Sequence, residues 1–240
     1  MAEPTAICPI CGGEGFLYDK KSKTSSRCEC LIEKQAKERI DRLLKLANIP
    51  PRFQGIRPES PQLSPKAFRE ILDDYYNNFI LHLNAGEGLT ILGPVGVGKS
   101  YAVCRLAARI IGGYSLPVKY VDTSSWLELI LDRIRAGKND EEGALEAEKL
   151  RMNEGLLICD DFDKAKKTDH ITNTLMLLIN YRYNEKLPTI IIGNKKNTDE
   201  IAVLAASGDE GVSIAGRLRE VNREVIVRGK NLRIKNCEAE

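Results

Sequence analysis

The stretch that most restricts how this chain can fold is GPVGVGKS, residues 93–100. It matches the pattern G-x-x-x-x-G-K-[ST]. An apolar run, Leu89 to Leu92, precedes it, and an apolar helical pattern, Tyr101 to Ile111, follows. A strand that turns through glycines straight into a helix opens a βαβ unit. Gly93, Gly96 and Gly98 let main-chain amides approach phosphate oxygens. Pro94, Val95 and Val97 complete the loop, and Tyr101 begins the helix behind it. The amides and the helix N-terminus favour negative charge. Lys99 is placed to reach the β- and γ-phosphates of a nucleotide, and Ser100 to offer its hydroxyl to Mg²⁺. A plain glycine turn is the alternative reading of the same residues.

A phosphate loop needs a carboxylate to hold the magnesium ion. In open α/β sheets ligands bind beyond the C-terminal ends of the strands, so the carboxylate is sought at the end of a neighbouring buried strand. GLLICDD, residues 155–161, supplies it. Asp160 is assigned to the magnesium shell and Asp161 to polarising an attacking water. The next apolar strand, TIIIGN, ends in Asn194, whose amide could orient that water. Two solvated aspartates and an ordinary turn asparagine are the bland alternatives.

The rest of the chain supports this frame. From Lys66 onward helical and strand patterns alternate: a helix over 66–85, strands at 88–93, 117–122, 155–161 and 187–194, and a last strand at 223–229. Helices are expected at 99–111, 124–137, 141–153, 170–186, 198–206 and 211–220. Ser125 and Glu128 have capping-box spacing in the second of these. Such alternation implies an α/β fold with a parallel sheet covered on both faces. Residues 48–65, NIPPRFQGIRPESPQLSP, hold five prolines and read as a linker or lead-in. The 240 residues suffice for one full domain, 48–240, plus a small module, 1–47.

Charge gives only weak guidance. The net is +2, with 11 basic against 7 acidic residues in 1–57 and 25 against 27 in the remainder. That excludes a strongly basic domain, so nucleic-acid binding would need a local patch. No apolar run is long enough to cross a bilayer, and the N-terminus lacks a basic start before an apolar stretch. A cytoplasmic protein without a membrane partner is expected.

The module at the front carries Cys8, Cys11, Cys28 and Cys30, spaced C-x₂-C, sixteen residues, then C-x-C. In a reducing compartment clustered cysteines suggest metal. The first pair has zinc-knuckle spacing, while the second is tighter than usual but still permits a tetrahedral S₄ site. Structural zinc is the favoured reading; disulfides, a redox pair or an iron–sulfur cluster are the others. A segment with so little to bury needs a staple. The helical pattern of 31–47 would bridge it to the main domain. Cys104 and Cys159 read as packing residues, Cys237 falls in the tail, and His82 and His170 lie far from the cluster in sequence.

GPVGVGKS, LLICDDF, LPTIIIGN, SIAGRLRE and VRGKNLR, in that order, resemble an AAA+ ATPase. More closely they resemble the DnaC/DnaI-type helicase loaders and the related IstB transposition ATPases, over residues 48–235. The resemblance implies an AAA+ P-loop domain binding ATP and Mg²⁺. It implies Walker A roles for Lys99 and Ser100, Walker B roles for Asp160 and Asp161, and a sensor role for Asn194. Arg217 falls where the family places an arginine finger acting on a neighbouring subunit, which implies an oligomer or co-assembly. Arg233 falls where a second arginine acts within its own subunit. Many AAA+ proteins carry Glu at the position of Asp161, so slow hydrolysis is expected. The helix after the second core strand lines a single-stranded DNA groove in this family, which makes Arg133, Arg135 and Lys138 candidate phosphate contacts. The implied partner is a hexameric replicative DNA helicase, engaged by the zinc-bearing N-terminal module. An IstB-like transposition helper and a zinc-bearing adaptor that scarcely hydrolyses ATP are the competing readings.

Overall fold

The computed structural model describes residues 7–56, 63–135, 148–164, 168–200 and 208–233. The chain opens with an antiparallel hairpin, β1 (Phe16–Asp19) and β2 (Thr24–Arg27), followed by helix α1 (Glu29–Leu46). Helices α2 (Lys66–Asn77) and α3 (Phe79–Ala85) lead into β3 (Gly88–Leu92) and α4 (Lys99–Tyr114). Then come β4 (Val118–Asp122), α5 (Thr123–Arg135), β5 (Leu156–Asp160), α6 (Asp169–Asn184) and β6 (Thr189–Ile192). Helix α7 (Gly208–Val221) and β7 (Asn222–Ile226) complete the described elements.

The five later strands form one parallel sheet, ordered β4-β5-β6-β3-β7. The sequence explains why. β3, β5 and β6 are buried along their whole length, as interior strands of a parallel sheet must be. Their side chains alternate between two cores. Leu156 and Ile158 of β5 and Ile190 and Ile192 of β6 enter the core shared with α2, α3 and α4. Leu157, Cys159 and Ile191 enter the core shared with α5, α6 and α7. The chain is thus a sheet between two helical layers, and Cys104 and Cys159 are packing residues within them. Cys237 lies outside the described residues.

Several expectations need correcting. The single helix expected over 66–85 is broken at Asn78, whose φ of −103° and ψ of 16° leave the helical region. Helix α5 does not start from a Ser125 capping box. Asp122, at the end of β4, accepts the Ser125 N–H at 2.9 Å, so the cap falls three residues earlier. The lead-in at 48–65 is not a free linker. Ile49 is buried, Pro51–Phe53 form a 3₁₀ turn, and Phe53 and Ile56 pack against the core. The carboxylate strand β5 is not the direct neighbour of the loop strand β3, because β6 lies between them. Most of the helix expected at 141–153, and that at 198–206, fall outside the described residues.

Helix α1 packs on the main domain through Ile40 and Leu43. At its end Ala47 O accepts the Tyr120 N–H at 2.7 Å, and Asn48 Nδ2 donates to Tyr120 O at 3.3 Å. These two residues cover the edge of β4 at Tyr120. Among the described residues no helix is long and apolar enough to cross a membrane.

The far end of the sheet is closed by Arg182 of α6, which is 1% exposed. Its guanidinium donates to Thr189 Oγ1 at 2.8 Å and to the carbonyls of Asn153 at 2.8 Å, Gly155 at 2.9 Å and Pro188 at 2.8 Å. These oxygens lie just before β5 and β6. Burial lowers its pKa to about 10, so it stays charged at neutral pH. Arg182→Met leaves buried carbonyls without donors and is expected to lower unfolding free energy by about 3 kcal/mol. Urea unfolding followed by circular dichroism measures this; Arg182→Lys, with fewer donors, should fall between the two.

Candidate functional site

The β3–α4 turn has the geometry that its glycines allow. Gly93 and Gly96 adopt φ of 141° and 84°, where other residues are strained. A Cβ on Gly93 would lie 2.2 Å from Val227 O, and one on Gly96 would lie 1.9 Å from Asn231 Oδ1. The chain after β7 therefore lies directly on the loop. Leu232 N–H bonds Gly96 O at 2.9 Å, and the Arg233 N–H bonds Asn231 Oδ1 at 2.9 Å.

The loop opens onto a cleft of about 460 Å³. Val95, Gly96, Gly98, Lys99, Ser100 and Tyr101 line one side, and Asp160, Asp161 and Asn194 another. Arg233 reaches the same cleft. Residues separated by more than ninety positions in sequence thus meet at the C-terminal end of the sheet. Gly93 and Val97 are buried at the base of the loop, with Val97 1% exposed, whereas Pro94 is exposed.

Lys99 is 6% exposed. Its ammonium donates to Gly93 O at 2.7 Å, Pro94 O at 2.8 Å and Asn194 Oδ1 at 3.0 Å. Burial lowers its pKa, and Asp160, Asp163 and Asp161 partly oppose that shift. Asp160 is 7% exposed, and burial raises its pKa, opposed by hydrogen bonds from Ser100 and Tyr120. Its Oδ1 accepts the Asp161 N–H at 2.9 Å, while Tyr120 Oη donates to Oδ2. A buried carboxylate beside a serine hydroxyl suits a hard dication, which takes oxygen ligands and would keep the carboxylate ionised. The donor set of Ser100 and Asp160 therefore fits Mg²⁺.

Asp161 has φ of 51°, which turns its side chain back over the cleft. Its Oδ2 accepts from Lys164 Nζ at 2.7 Å, and Asn194 Nδ2 approaches Oδ1 at 3.5 Å. Asn194 is itself held by its N–H to Asp163 Oδ2 at 3.1 Å. Arg217, on α7, lies outside this cleft. Its Nη1 donates to Ser213 O at 3.1 Å and to Ser213 Oγ, and its guanidinium lies 5.8 Å from the Tyr183 ring centre. The side chains of Arg133 and Arg135, and Lys138 entirely, lie outside the described residues.

Sequence reasoning missed several cleft residues. Tyr120 and Asp122 come from β4, and Lys164 from the turn after β5. Pro50, Phe53, Leu63 and Leu232 form an apolar wall. The Tyr120–Asp160 contact had no signal, because it depends on the register of two strands forty residues apart. The proline-rich lead-in offered one: IPPRF is apolar and stiff, unlike a flexible linker.

The four cysteines of the front module converge. Their sulfurs all lie within 4.8 Å of one another, with Cys8–Cys28 at 3.9 Å and Cys11–Cys30 at 3.4 Å. A disulfide needs about 2.0 Å, whereas a tetrahedral zinc with bonds of about 2.3 Å sets its sulfurs about 3.8 Å apart. The tight C-x-C pair has a simple cause. Cys28 caps α1 in extended conformation and Cys30 lies in its first turn, so the helix start folds both sulfurs inward. Gly15 N–H donates to Cys11 Sγ at 3.2 Å and is the main cause lowering that thiol to about 7. Its close neighbour Cys30 is raised, chiefly by sharing with Cys11. Thiolates this close repel unless a cation lies among them. The donor set and the helix N-terminus both fit such a site. His82 is not part of it; it stacks on Tyr75 at 4.5 Å and bonds Glu87 at 2.9 Å.

A parallel sheet in this order, with a phosphate loop after β3 and acidic and amide groups closing the ends of β5 and β6, defines an AAA+ P-loop fold. The chain is similar in structure to the DnaC helicase loader, with a TM-score of 0.61 and 18% identity, over 75% of this chain and 100% of that one. DnaI matches with a TM-score of 0.60 and 18% identity, over 80% and 99%. A replication initiator DnaA, solved bound to AMPPCP and single-stranded DNA, matches at 0.57 and 13%, over 76% and 52%. No protein-family model matches the sequence, and no curated protein matches it either. At these identities the likeness establishes the fold.

Purified full-length protein is expected to carry about one zinc per chain. Cys11→Ser should lose it, as read by elemental analysis. Absorbance near the visible range would instead reveal an iron–sulfur cluster.

Proposed function

We propose that this chain is an ATP-dependent loader that delivers a hexameric replicative DNA helicase onto single-stranded DNA. ATP binding and hydrolysis act as its switch. One observation carries the reading: a cleft uniting Lys99, Ser100, Asp160, Asp161 and Asn194 lies in a fold shared over nearly the full length of two helicase loaders.

The roles follow from the chemistry of each group. The loop amides and Lys99 bind the β- and γ-phosphates, which take over hydrogen bonds that the ammonium now makes to Gly93, Pro94 and Asn194. Released from Lys99, the Asn194 amide is free to orient water. Ser100 and Asp160 hold Mg²⁺, which when bound neutralises phosphate charge. Asp161 positions the attacking water. It is short and already paired with Lys164, which accords with slow turnover. The apolar wall of Pro50, Phe53, Leu63 and Leu232 offers the base a dry surface.

Arg217 acts on the γ-phosphate bound by a neighbouring subunit. Its place outside its own cleft leaves this permanently charged, planar group available to a neighbouring site. Arg233, at the cleft, acts within its own subunit. The cysteine module holds zinc and engages the helicase. Its exposed Ile7, Ile10, Phe16 and Tyr18 give it an apolar surface that the rest of the described chain leaves uncovered. The helix α5 and the residues after it contact single-stranded DNA through Arg133, Arg135 and Lys138.

Native mass measurement with the replicative helicase of the same cell, with and without ATP, tests the loader reading. A complex is expected; none under either condition would sink it. ATPase stimulation by duplex but not single-stranded DNA would favour a transposition helper. Arg217→Ala should bind ATP normally yet turn over about a thousandfold more slowly. Mixing Arg217→Ala with Lys99→Ala should restore part of the turnover, because intact sites then form between unlike subunits.

A further inference from the structure

Strand β4 meets two separate parts of the molecule at one residue. On the main chain, Tyr120 N–H donates to Ala47 O at 2.7 Å, and Tyr120 O accepts from Asn48 Nδ2 at 3.3 Å. Ala47 and Asn48 are where α1, the helix rooted in the cysteine cluster, ends. On the side chain, Tyr120 Oη donates to Asp160 Oδ2. Tyr120 is 3% exposed and Ala47 fully covered, while Asn48 lies at the surface. Two further bonds hold α1 to this edge. Lys119 Nζ donates to Leu46 O at 3.3 Å, and Arg39 Nη2 to Ser115 O at 3.2 Å.

The diagonal reach has a geometric cause. Tyr120 lies opposite Ile158 in the parallel register, and Asp160 is two residues further along the same face of β5. A tyrosine leaning along its strand spans that gap with its hydroxyl. Asp160 is then fixed at two points, Oδ1 by the Asp161 N–H and Oδ2 by Tyr120. A carboxylate fixed so has one orientation to offer a metal, as outer partners of metal ligands commonly ensure.

We propose that Tyr120 is a positioning residue that sets the orientation of the Asp160 carboxylate and makes that orientation depend on how α1 is held. The inference rests on the nucleotide-site reading above and deepens it with a route of regulation. A pull on the cysteine module moves α1, and with it Ala47 and Asn48. Tyr120 follows through its main chain, and its ring carries the shift to Asp160, because hydrogen bonds to the carboxylate weaken steeply when misaligned. Partner engagement at the front of the chain thereby alters magnesium affinity without touching the cleft.

Binding of a fluorescent ATP analogue, titrated with Mg²⁺, tests both halves. Tyr120→Phe keeps the ring and the main-chain bonds and removes only the hydroxyl. Asn48→Gly removes the amide yet tolerates the left-handed φ of 57° found there. Metal-free affinity should stay within about twofold in both, while the Mg²⁺ concentration for half effect rises about tenfold in Tyr120→Phe and about twofold in Asn48→Gly. An unchanged Mg²⁺ midpoint in Tyr120→Phe would overturn the positioning role. A shift in Tyr120→Phe but none in Asn48→Gly would overturn the dependence on α1. Failure of the unaltered protein to bind the analogue at all would instead remove the nucleotide reading itself.

Discussion

Three parallel strands end at the same height, and the candidate site exists only because they do. Ile91 of β3 pairs with Ile192 of β6, and Ile191 of β6 with Cys159 of β5. This register brings Gly93, Asn194 and Asp160 to one mouth. A slip by one residue would turn each strand over and send its apolar side chains to the wrong core. The two cores, with Ile158, Ile190 and Ile91 on one face and Leu157, Cys159 and Ile191 on the other, hold the register in place. Packing and chemistry are therefore fixed by the same residues.

Burial also sets the charge balance at that mouth. Lys99 and Asp160 are both nearly covered, and desolvation pushes each toward its neutral form. Each is kept useful by neighbours. Lys99 has three oxygen acceptors, and Asp160 has donors from Ser100, Tyr120 and the Asp161 main chain. The cysteine cluster solves a comparable problem in a small space. A hairpin and one helix end bury too little to stand alone, and four converging sulfurs supply what the missing core would. Cys28 serves as both the start of α1 and a member of the cluster.

Much of this was legible in the sequence, for identifiable reasons. β3, β5 and β6 are unbroken apolar runs, which only a doubly covered sheet accommodates, and GPVGVGKS between a strand and a helix admits few alternatives. Lys99 and Ser100 were legible from the loop motif, and Asp160, Asp161 and Asn194 from the ends of such strands, whereas Arg233 was suggested by the family resemblance alone. What was missed depended on contacts distant in sequence. No local pattern shows that β6 separates β3 from β5, that Tyr120 reaches Asp160, or that Arg182 gathers the carbonyls of Asn153, Gly155 and Pro188 and the Thr189 hydroxyl at the end of the sheet. The break at Asn78 was hidden because the apolar spacing continues through it, and the Ser125 box was misleading because Asp122 caps more directly. Composition left the lead-in open between a linker and an extended segment; the structure packs Ile49, Phe53 and Ile56 against the core and sets Pro50 in the cleft wall.

The covering of β4 by Ala47 and Asn48 has a consequence for how copies of this chain can meet. An open sheet edge is a template on which another chain can add a strand. Here the main chain of Tyr120 already has both its outward bonds satisfied from within. A strand added along that border would have to displace these bonds at Tyr120. At this edge, though not at the opposite border formed by β7, copies that meet would do so through side chains and helix surfaces. A contact between copies at this border would rest on side chains, which part more readily than a shared backbone ladder.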